Sequence, residues 1–424
     1  MAAPNFRAPK GTRDIFPPES TRLRALIDEF AVVAARSGFG EVISPIFEDL
    51  GVFRRLGEST DVVTKEMFDF FDKGTPPQRL ALRPELTASI CRAYAEHRPV
   101  PPWKVWYEGP QFRYEQPQAG RYRQFTQVGV EVLGTDDPQA DVDVIVLAAG
   151  FFESLGLRQV ELALNSLGSS GHQGSRVAYE QALRSYLVAH ANDLSAQSQV
   201  TLERNPLRVL DSKRSQDREV IAGAPVMVDY LDAESAAHFS AVRAGLEAVG
   251  VAYEISPRLV RGLDYYTRTT FEFAAPGLTG AQNAVGGGGR FDGLVEALGG
   301  PATAGIGFAL GVDRILLACD AEGVFDTPFC GVDVFVVDVT GGTEALKVCT
   351  DLRQAGIAAD RGYGGRSMKA QMKLANRSGA DFAVIIGEDE LRSGEVTLRH
   401  LGDGTQQRVA RAALVNQLGK KRAL

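Results

Sequence analysis

Residues 107–134 read YEGPQFRYEQPQAGRYRQFTQVGVEVLG, and this stretch decides the fold. Residues 107–114 and 122–133 predict two strands, because residues 115–120 between them include the Pro and Gly of a hairpin connection. Alternation along the outgoing strand places one apolar set on one face: Tyr122, Val128, Val130 and Val132. The opposite face is polar for a strand and carries Arg121, Arg123, Phe125, Gln127, Gly129 and Glu131.

A polar strand face of this kind is either solvated or the floor of a ligand site. The incoming strand adds Arg113 and Glu115, so guanidinium and carboxylate groups converge from both arms of the hairpin. Arginine presents a planar fork of donors that suits phosphate oxygens. Phe125 offers a flat surface for a base, and Glu115 an acceptor for an exocyclic amine. The convergence favours a ligand site over a solvated face.

The composition is that of an ordinary globular protein with room for two or three domains. The chain has 424 residues, of which 44% are hydrophobic and 23% charged. Neither a signal-peptide pattern nor an apolar run of membrane-spanning length is present in the sequence, which predicts a cytoplasmic protein without a membrane partner. The four Cys and five His show no metal-binding spacing, so no protein-bound metal site is predicted.

The charge distribution is uneven along the chain. The formal net charge is −7, which argues against a non-specific nucleic-acid coat but does not exclude RNA. From residue 329 to the last residue, 14 Lys and Arg outnumber 11 Asp and Glu, a local charge of +3 against −10 for the rest. The basic excess therefore lies at the C-terminal end.

Several motifs carry a resemblance to one family. The stretch FRYEQPQAGRYRQF (112–125) resembles motif 2 of the class II aminoacyl-tRNA synthetases, and in detail that of the histidyl-tRNA synthetase family. GTRDIFP (11–17), RGLDYYTRT (261–269) and GIGFALGVDRILL (305–317) resemble the opening signature, the histidine-specific signature and motif 3. The resemblance implies an ATP-dependent ligase that uses Mg²⁺, activates L-histidine with ATP as histidyl-adenylate and transfers it to the 3′ end of tRNA(His).

The same resemblance assigns roles to residues of this sequence. Arg113 and Arg261 are the expected catalytic residues. The expected histidine-binding residues are Glu85, Leu86, Thr87, Gln127, Glu131, Arg261, Tyr265 and Tyr266. The expected ATP-binding residues are Arg113, Glu115, Arg121, Phe125 and Arg314.

Plain structural interpretations remain open for several of these residues. Thr87 is a possible helix N-cap, with Glu85 interacting with free helix amides, and Arg314 a possible surface ion pair. If Tyr265 and Tyr266 lie on a strand, only one of them contacts ligand while the other packs or turns. The glycine run before Arg290 is not a P-loop, because Arg290 and Phe291 replace Lys and Ser or Thr; its glycines allow close backbone approach.

The sequence departs from the family pattern at four positions. Leu86 replaces a Gly, Phe291 replaces a Tyr, and Gln116 and Ala119 replace two cationic residues of the motif 2 loop. The departures weaken the expectation of a backbone contact at residue 86. They also predict that the contact of the loop with the acceptor end of the tRNA is either weaker or shared with other parts of the chain.

The predicted fold class is α/β: an α+β catalytic domain over residues 1–325, with a mainly antiparallel sheet flanked by helices. A helix from Ser20 to about Ser37 precedes a strand interrupted at Pro45, which is either an edge-strand proline or, by the resemblance, part of a homodimer interface. Residues 168–224 predict a helical insertion. After a linker over residues 320–328, residues 329–424 alternate strands and helices, as in an anticodon-binding α/β domain of parallel or mixed sheet.

Two rival functions remain. One is a non-catalytic paralogue that binds histidine as a regulatory subunit of ATP phosphoribosyltransferase, which generally lacks the C-terminal domain and the arginine of RGLDYY. The other is a synthetase for a different amino acid, which would keep Arg113 and Arg314 but not Glu131 together with residues 261–266.

Overall fold

The computed structural model describes residues 6–55, 62–169, 174–278 and 283–422. The chain divides into two compact units, Met1–Thr327 and Pro328–Leu424, and each is described by itself. Within the described ranges, no helix has both the length and the apolar character needed to cross a membrane.

The first unit contains eleven strands among its described residues. In chain order they are β1 Gly40–Glu41, β2 Phe47–Asp49, β3 Asp69–Phe71, β4 Arg79–Leu82, β5 Trp103–Phe112, β6 Gln124–Leu133, β7 Glu161–Ser166, β8 Glu254–Ile255, β9 Thr267–Ala274, β10 Ala284–Arg290 and β11 Gly305–Gly311. Its α-helices are α1 Glu19–Arg36, α2 Leu50–Arg54, α3 Thr87–His97, α4 Pro138–Ser154, α5 Ser175–Ala189, α6 Ala196–Arg204, α7 Arg218–Ala222, α8 Ala233–Ala248, α9 Leu294–Ala297 and α10 Val312–Glu322.

Eight of these strands form one large sheet in the order β1-β5-β6-β11-β10-β9-β7-β8. Only the outer pairs β1–β5 and β7–β8 are parallel, and the remaining pairs are antiparallel. The predicted hairpin forms its second and third strands, with Tyr107 of β5 opposite Gly129 of β6. The mainly antiparallel sheet of the predicted fold class is therefore confirmed, and a small antiparallel sheet β2-β4-β3 lies beside it.

The alternation of β6 separates a core face from a polar face, as predicted, but Tyr122, predicted on the core face, precedes β6 and lines the cavity instead. Val128, Val130 and Val132 belong to the main hydrophobic core beneath α1, α4 and α10. Phe30 of α1 anchors that core, with its ring 5.0 Å from Phe151 in an edge contact. The helices therefore cover the apolar face and leave the polar side chains of β6 on the other side.

Several predicted boundaries were wrong. α1 begins at Glu19, after Pro18, whose fixed φ suits a helix start, so Ser20 is not the N-cap. The single strand expected around Pro45 is two short strands in different sheets, β1 and β2. β6 begins at Gln124, so residues 121–123 belong to the hairpin loop, which is closed by a bridge between Gln118 and Arg121. α10 continues to Glu322, inside the predicted linker.

The region predicted as a helical insertion is helical and has a core of its own. It comprises α5, α6, α7 and short 3₁₀ turns, including Pro206–Asp211 and Met227–Tyr230. Its core contains Tyr179, Leu183 and Val209 and extends beyond residue 224 to Met227. Asp217 closes it by accepting from Ser195 N at 2.7 Å and Ser198 Oγ at 2.6 Å.

The second unit is a small mixed α/β domain, as predicted. Its strands are β12 Val334–Asp338, β13 Ala359–Arg361, β14 Phe382–Ile386, β15 Glu395–His400 and β16 Gln406–Ala410, ordered β13-β12-β14-β15-β16. β12 is parallel to β13 and β14, whereas β15 and β16 are antiparallel to their neighbours. Its helices are α11 Thr343–Gln354, α12 Met368–Arg377, α13 Glu388–Ser393 and α14 Leu414–Arg422.

Candidate active site

A cavity of about 300 Å³ opens on the polar face of β6. Eleven of the thirteen predicted site residues line it: Glu85, Thr87, Arg113, Glu115, Arg121, Phe125, Gln127, Arg261, Tyr265, Tyr266 and Arg314. Residues far apart in the chain, from α3, the hairpin, the RGLDYY segment (residues 261–266) and α10, thus share one space. Leu86 and Glu131 are not on its surface.

Arg113 lies just beyond β5 against the base of the hairpin. Its Nε donates to the carbonyl of Pro84 at 2.9 Å. Its guanidinium carbon lies 5.4 Å from the ring centre of Phe125, a cation–π contact across the hairpin. The side chain is therefore fixed on the wall of the cavity by contacts from two elements.

The hairpin loop carries an ion pair between Arg121 and Glu115. The bond to Glu115 raises the pKa of Arg121. The pair joins the two arms of the loop and holds both side chains at the cavity.

Arg314, in the first turn of α10, ties the loop to the sheet. Its Nε donates to the carbonyl of Gly120 at 3.2 Å and its Nη1 to the carbonyl of Ala284 at 2.8 Å. Burial lowers the pKa of Arg314. Gly120 has φ +68° and a Cβ there would lie 2.8 Å from Leu317, so this turn requires glycine. Arg314 is thus a cavity residue rather than a surface ion pair on a helix.

Arg261 lines the same cavity from the RGLDYY segment. Its Nη1 lies 2.5 Å from the carboxylate of Glu272 on β9. Its Nε is buried and, within the described part of the chain, makes no hydrogen bond. Gly287 makes room for it, because a Cβ there would lie 2.9 Å from the guanidinium carbon. The glycine run of β10 therefore allows close approach of a side chain.

Both tyrosines of the RGLDYY segment line the cavity. Their ring centres are 4.5 Å apart and their hydroxyls 3.4 Å apart. The expectation that only one of them faces the site was wrong, because β9 begins at Thr267 and the two residues lie in the turn before it. Burial raises the pKa of both phenols, so each hydroxyl keeps its proton.

The comparisons with known proteins agree with this geometry. The sequence model of the family described as histidyl-tRNA synthetase matches residues 11–315, and that of the anticodon binding domain matches residues 333–421. The chain belongs to the histidyl-tRNA synthetase family.

Full-length relatives carry the same family name. The chain is 48% identical over 423 residues to the histidine–tRNA ligase of Rhodococcus erythropolis, covering 98% of each chain. It is 46% identical to that of Streptomyces coelicolor, covering 97% of each. The apo histidyl-tRNA synthetase of S. aureus aligns with a TM-score of 0.80 at 35% identity over 98% of this chain and 100% of that one.

One structural neighbour has a mixed description. A Bacillus halodurans protein described as an ATP phosphoribosyltransferase regulatory subunit/histidyl-tRNA synthetase aligns with a TM-score of 0.65 over 90% of this chain and 99% of that chain. Its identity is only 20%, so this likeness shows the fold alone. The full-length relatives support the ligase interpretation and not the regulatory-subunit alternative.

In this synthetase fold, Glu85 caps α3 and Thr87 does not. The Glu85 carboxylate accepts from the amides of Thr87 at 2.8 Å and Ala88 at 2.9 Å, as the interaction with free helix amides predicted. The predicted N-cap role of Thr87 was wrong, because the N-cap residue is Leu86 and the Thr87 hydroxyl donates to Glu131 at 2.6 Å. Leu86 is buried in the hydrophobic core behind the wall.

Glu131 does not line the cavity itself but accepts a hydrogen bond from Thr87, which does. Its Oε1 accepts from Thr87 and from the Tyr107 hydroxyl at 3.2 Å, whereas its Oε2 is buried without a hydrogen bond among the described residues. Burial raises the pKa of Glu131 well above its usual value. The slot exists because residue 307 on β11 is glycine, and a Cβ there would overlap the carboxylate.

Sequence reasoning missed three residues of this site. Tyr107 and Gly307 shape the slot of Glu131, and Glu272 pairs with Arg261. A glycine within a strand is the available signal for Gly307, since it marks close approach of another group. No local pattern indicates Glu272, because its partner lies eleven residues earlier in an irregular segment.

The other family departures lie in different surroundings. Gln116 and Ala119 are exposed on the hairpin loop. Phe291 is buried, with its ring 5.9 Å from that of Tyr265 in an edge contact. Gln116 and Ala119 therefore face solvent. Phe291, which lacks the hydroxyl of a Tyr, packs behind Tyr265 of the cavity.

Proposed function

We propose that this chain is a histidine–tRNA ligase that forms histidyl-adenylate from L-histidine and ATP and transfers the histidyl group to the 3′ end of tRNA(His). The observation that carries the proposal is the shared cavity, in which four arginines face a group of carboxylates and phenols. The cations suit a triphosphate, and the acids and phenols suit an amino acid with an imidazole.

The amino-acid end of the cavity lies near α3 and the RGLDYY segment. Glu85 and Thr87 bind the ammonium group of histidine, because a carboxylate and a hydroxyl offer the acceptors that it needs. Gln127, Glu131 and the two tyrosines select the imidazole. Glu131 acts from behind the wall, because its Oε1 accepts from the hydroxyl of Thr87, which lines the cavity.

The nucleotide end lies at the hairpin. Phe125 stacks on adenine, and Glu115 accepts from its exocyclic amine. Arg121 and Arg314 bind the outer phosphates. The fit is supported by the fact that all four side chains line the same cavity.

The chemistry needs no general base, because the histidine carboxylate is already a nucleophile. It attacks the α-phosphorus in line, and pyrophosphate leaves. Negative charge gathers at the α-phosphate, where Arg113 and Arg261 act by electrostatic stabilisation and by holding the reactants in line. The buried Nε of Arg261 supports this role, because it is a donor still without an acceptor among the described residues.

Mg²⁺ enters this proposal with the nucleotide. Mg²⁺ usually keeps several waters, binds phosphate oxygens and takes one or two carboxylates from the protein. Glu272 on the cavity wall is the residue that would hold it. When bound, it neutralises part of the triphosphate charge.

The second unit serves tRNA binding in this proposal. Arg366, Lys369, Lys373 and Arg377 are exposed at and before α12, and phosphate contacts by such residues contribute salt-dependent affinity. We also place the ligase in the cytoplasm, where tRNA is charged.

A homodimer is the assembly we propose. Ile43 is 86% exposed, and Phe47 and Phe71 are 50% and 63% exposed near the predicted interface. Such an apolar group is typical of a surface that another copy covers. Light scattering coupled to size-exclusion chromatography would give twice the chain mass of 45.7 kDa, whereas a monomer mass would contradict it.

The test of the activity is ATP–pyrophosphate exchange with each of the twenty amino acids. Histidine alone should support exchange, followed by charging of tRNA(His). Exchange with a different amino acid would favour the other-synthetase alternative. Histidine binding without exchange would favour the regulatory paralogue.

A further inference from the structure

The RGLDYY segment is a cavity wall without strand or helix structure. Residues 261–266 precede β9, and their backbone takes no part in the sheet ladders. A wall of this kind needs other groups to satisfy and position its backbone. In this chain most of those groups come from the helical insertion.

Arg208 makes the central contact. Its Nη2 donates to the carbonyl of Gly262 at 2.8 Å and to Asp264 Oδ1 at 2.7 Å. Asn205 Nδ2 donates to the same carboxylate oxygen at 3.4 Å. One guanidinium therefore holds both a backbone carbonyl and a side chain of the segment.

Arg208 projects from a turn whose apolar side chains are buried. Arg208 belongs to the 3₁₀ turn Pro206–Asp211, in which Pro206, Leu207, Val209 and Leu210 are all buried. Three of these residues belong to the insertion core. Because all four apolar side chains of this turn are buried, a movement of the insertion would move Arg208 with it.

Two further arginines join the insertion to the segment, one from the insertion and one from the residues just before the segment. Arg176 of α5 donates through Nη1 to the carbonyl of Tyr266 at 3.0 Å, while its Nε bonds Glu180 at 2.8 Å. Arg258, just before the segment, donates through Nε to the carbonyl of Ile221 at 2.6 Å, near the C-terminus of α7. A cation is favoured at a helix C-terminus, so this contact strengthens the attachment.

Among the described residues, the sheet supplies fewer hydrogen bonds to the segment, chiefly the ion pair of Glu272 on β9 with Arg261. Asn165 of β7 donates to the carbonyl of Leu259 at 3.0 Å, two residues before the segment. Val260 packs against the insertion core and not against the core of the sheet. Asp211 of the insertion also reaches the cavity wall itself.

We propose that the helical insertion positions the RGLDYY segment for histidine binding, and that Arg208, with Arg176, is the positioning residue that transmits this. The inference rests on the proposed function, because the segment carries Arg261 and the tyrosines assigned to histidine. Arg208 acts through Gly262 and Asp264 and does not line the cavity. Catalytic geometry is sensitive to small displacements of such groups.

Exchange kinetics without tRNA test this on the full chain. Arg208→Ala should raise the KM for histidine about tenfold while the KM for ATP changes less than about twofold, since only the histidine wall shifts. Asp264→Asn, which keeps the shape of the side chain, should raise the KM for histidine in the same direction. The double variant should be no worse than the poorer single variant, because both remove the same ion pair. Arg204→Ala, exposed on α6, is the matched control and should leave both constants unchanged.

The outcomes separate this inference from the proposed function. A wild-type enzyme with histidine-dependent exchange and an Arg208→Ala variant with an unchanged KM for histidine would overturn the positioning role alone. Equal rises in both KM values would also overturn it, because they indicate general loss of structure. If Arg208→Ala does not fold, Asp264→Asn decides by the same criteria. Absence of any histidine-dependent exchange in the wild type would overturn both proposals.

Discussion

The two walls of the cavity are built in different ways. The sheet wall consists of residues of β6, β10 and β11, whose backbones pair in register, such as Gln127 opposite Gly311. The loop wall is the RGLDYY segment, whose carbonyls accept hydrogen bonds from side chains such as Arg208 and Arg176. A backbone ladder fixes side-chain direction by alternation, whereas a loop depends on distant partners. We therefore expect the sheet wall to be most sensitive to substitution of its glycines. The loop wall should be most sensitive to substitution of its arginines.

Arg261→Ala is expected to have the largest effect. The lost donors to a developing charge cost at least about 3 kcal/mol in the activation step, roughly a hundredfold or more in kcat/KM. Histidine-dependent pyrophosphate exchange measures it. Arg243→Ala, exposed on α8, is the control for loss of an arginine elsewhere. Near-normal exchange in the Arg261 variant would count against the catalytic role of the loop wall.

Gly307→Ala is the corresponding change in the sheet wall. A Cβ at residue 307 would overlap the Glu131 carboxylate and the backbone of β6, so the strands or the acid must move. We expect a loss of about 1–3 kcal/mol in the free energy of unfolding, typical of overpacking. Urea denaturation measures it.

Gly293→Ala is the matched control for this glycine. Its added Cβ would meet no described atom within 4 Å, so stability should stay near that of the wild type. Equal stability of both variants would show that the slot of Glu131 is not enforced by the sheet.

Glu131→Gln should weaken histidine selectively. The change replaces a carboxyl oxygen by an amide nitrogen and disturbs the acceptor that holds the Thr87 hydroxyl at the histidine wall, which costs about 1–2 kcal/mol in histidine binding. The KM for histidine should rise about tenfold, whereas the KM for ATP stays the same, because the nucleotide end lies at the hairpin. Equal losses for both substrates would refute the selecting role.

The same variant predicts a pH dependence of stability. Because burial raises the pKa of Glu131 in the folded state, the proton contributes stability at low pH. That contribution is lost as the pH rises from the unfolded-state pKa through the raised folded-state pKa. Glu131→Gln has no such proton, so its stability relative to the wild type should increase with pH, by no more than about 1.4 kcal/mol per pH unit. Urea denaturation at several pH values measures it, and a relative decrease would contradict it.

The fold was predictable where one local period dominated. Alternation in β6 predicted the core valines and the polar face with Gln127 and Glu131. The hairpin loop was less predictable, because Arg121 and Glu115 pair across it and shorten the strand at Gln124. The small strands β13 and β16 are hard to predict, since strands of 3 and 5 residues give little pattern.

The candidate site was predictable through motifs, but its supporting contacts were not. The resemblance named eleven of the residues that line the cavity, whereas Arg208 lies 56 residues before its partner Asp264, and nothing local indicates the pair. The strand assumption for Tyr265 and Tyr266 failed because a turn precedes β9. A segment without regular secondary structure takes its side-chain partners from distant parts of the chain. Tertiary packing decides which partners these are, and no local sequence pattern indicates them.

Phe291→Tyr is expected to have the smallest effect and tests whether the packing behind the loop wall matters. Phe291 does not line the cavity, and its buried ring contacts the edge of Tyr265. An added hydroxyl would therefore contact buried protein atoms rather than a ligand. The KM for histidine should change less than about threefold, which corresponds to less than about 0.7 kcal/mol in binding free energy. Exchange at varied histidine concentration measures it. A tenfold fall in that KM would mean that the hydroxyl common in the family reaches the pocket, so that the loop wall would extend one residue layer deeper than Tyr265.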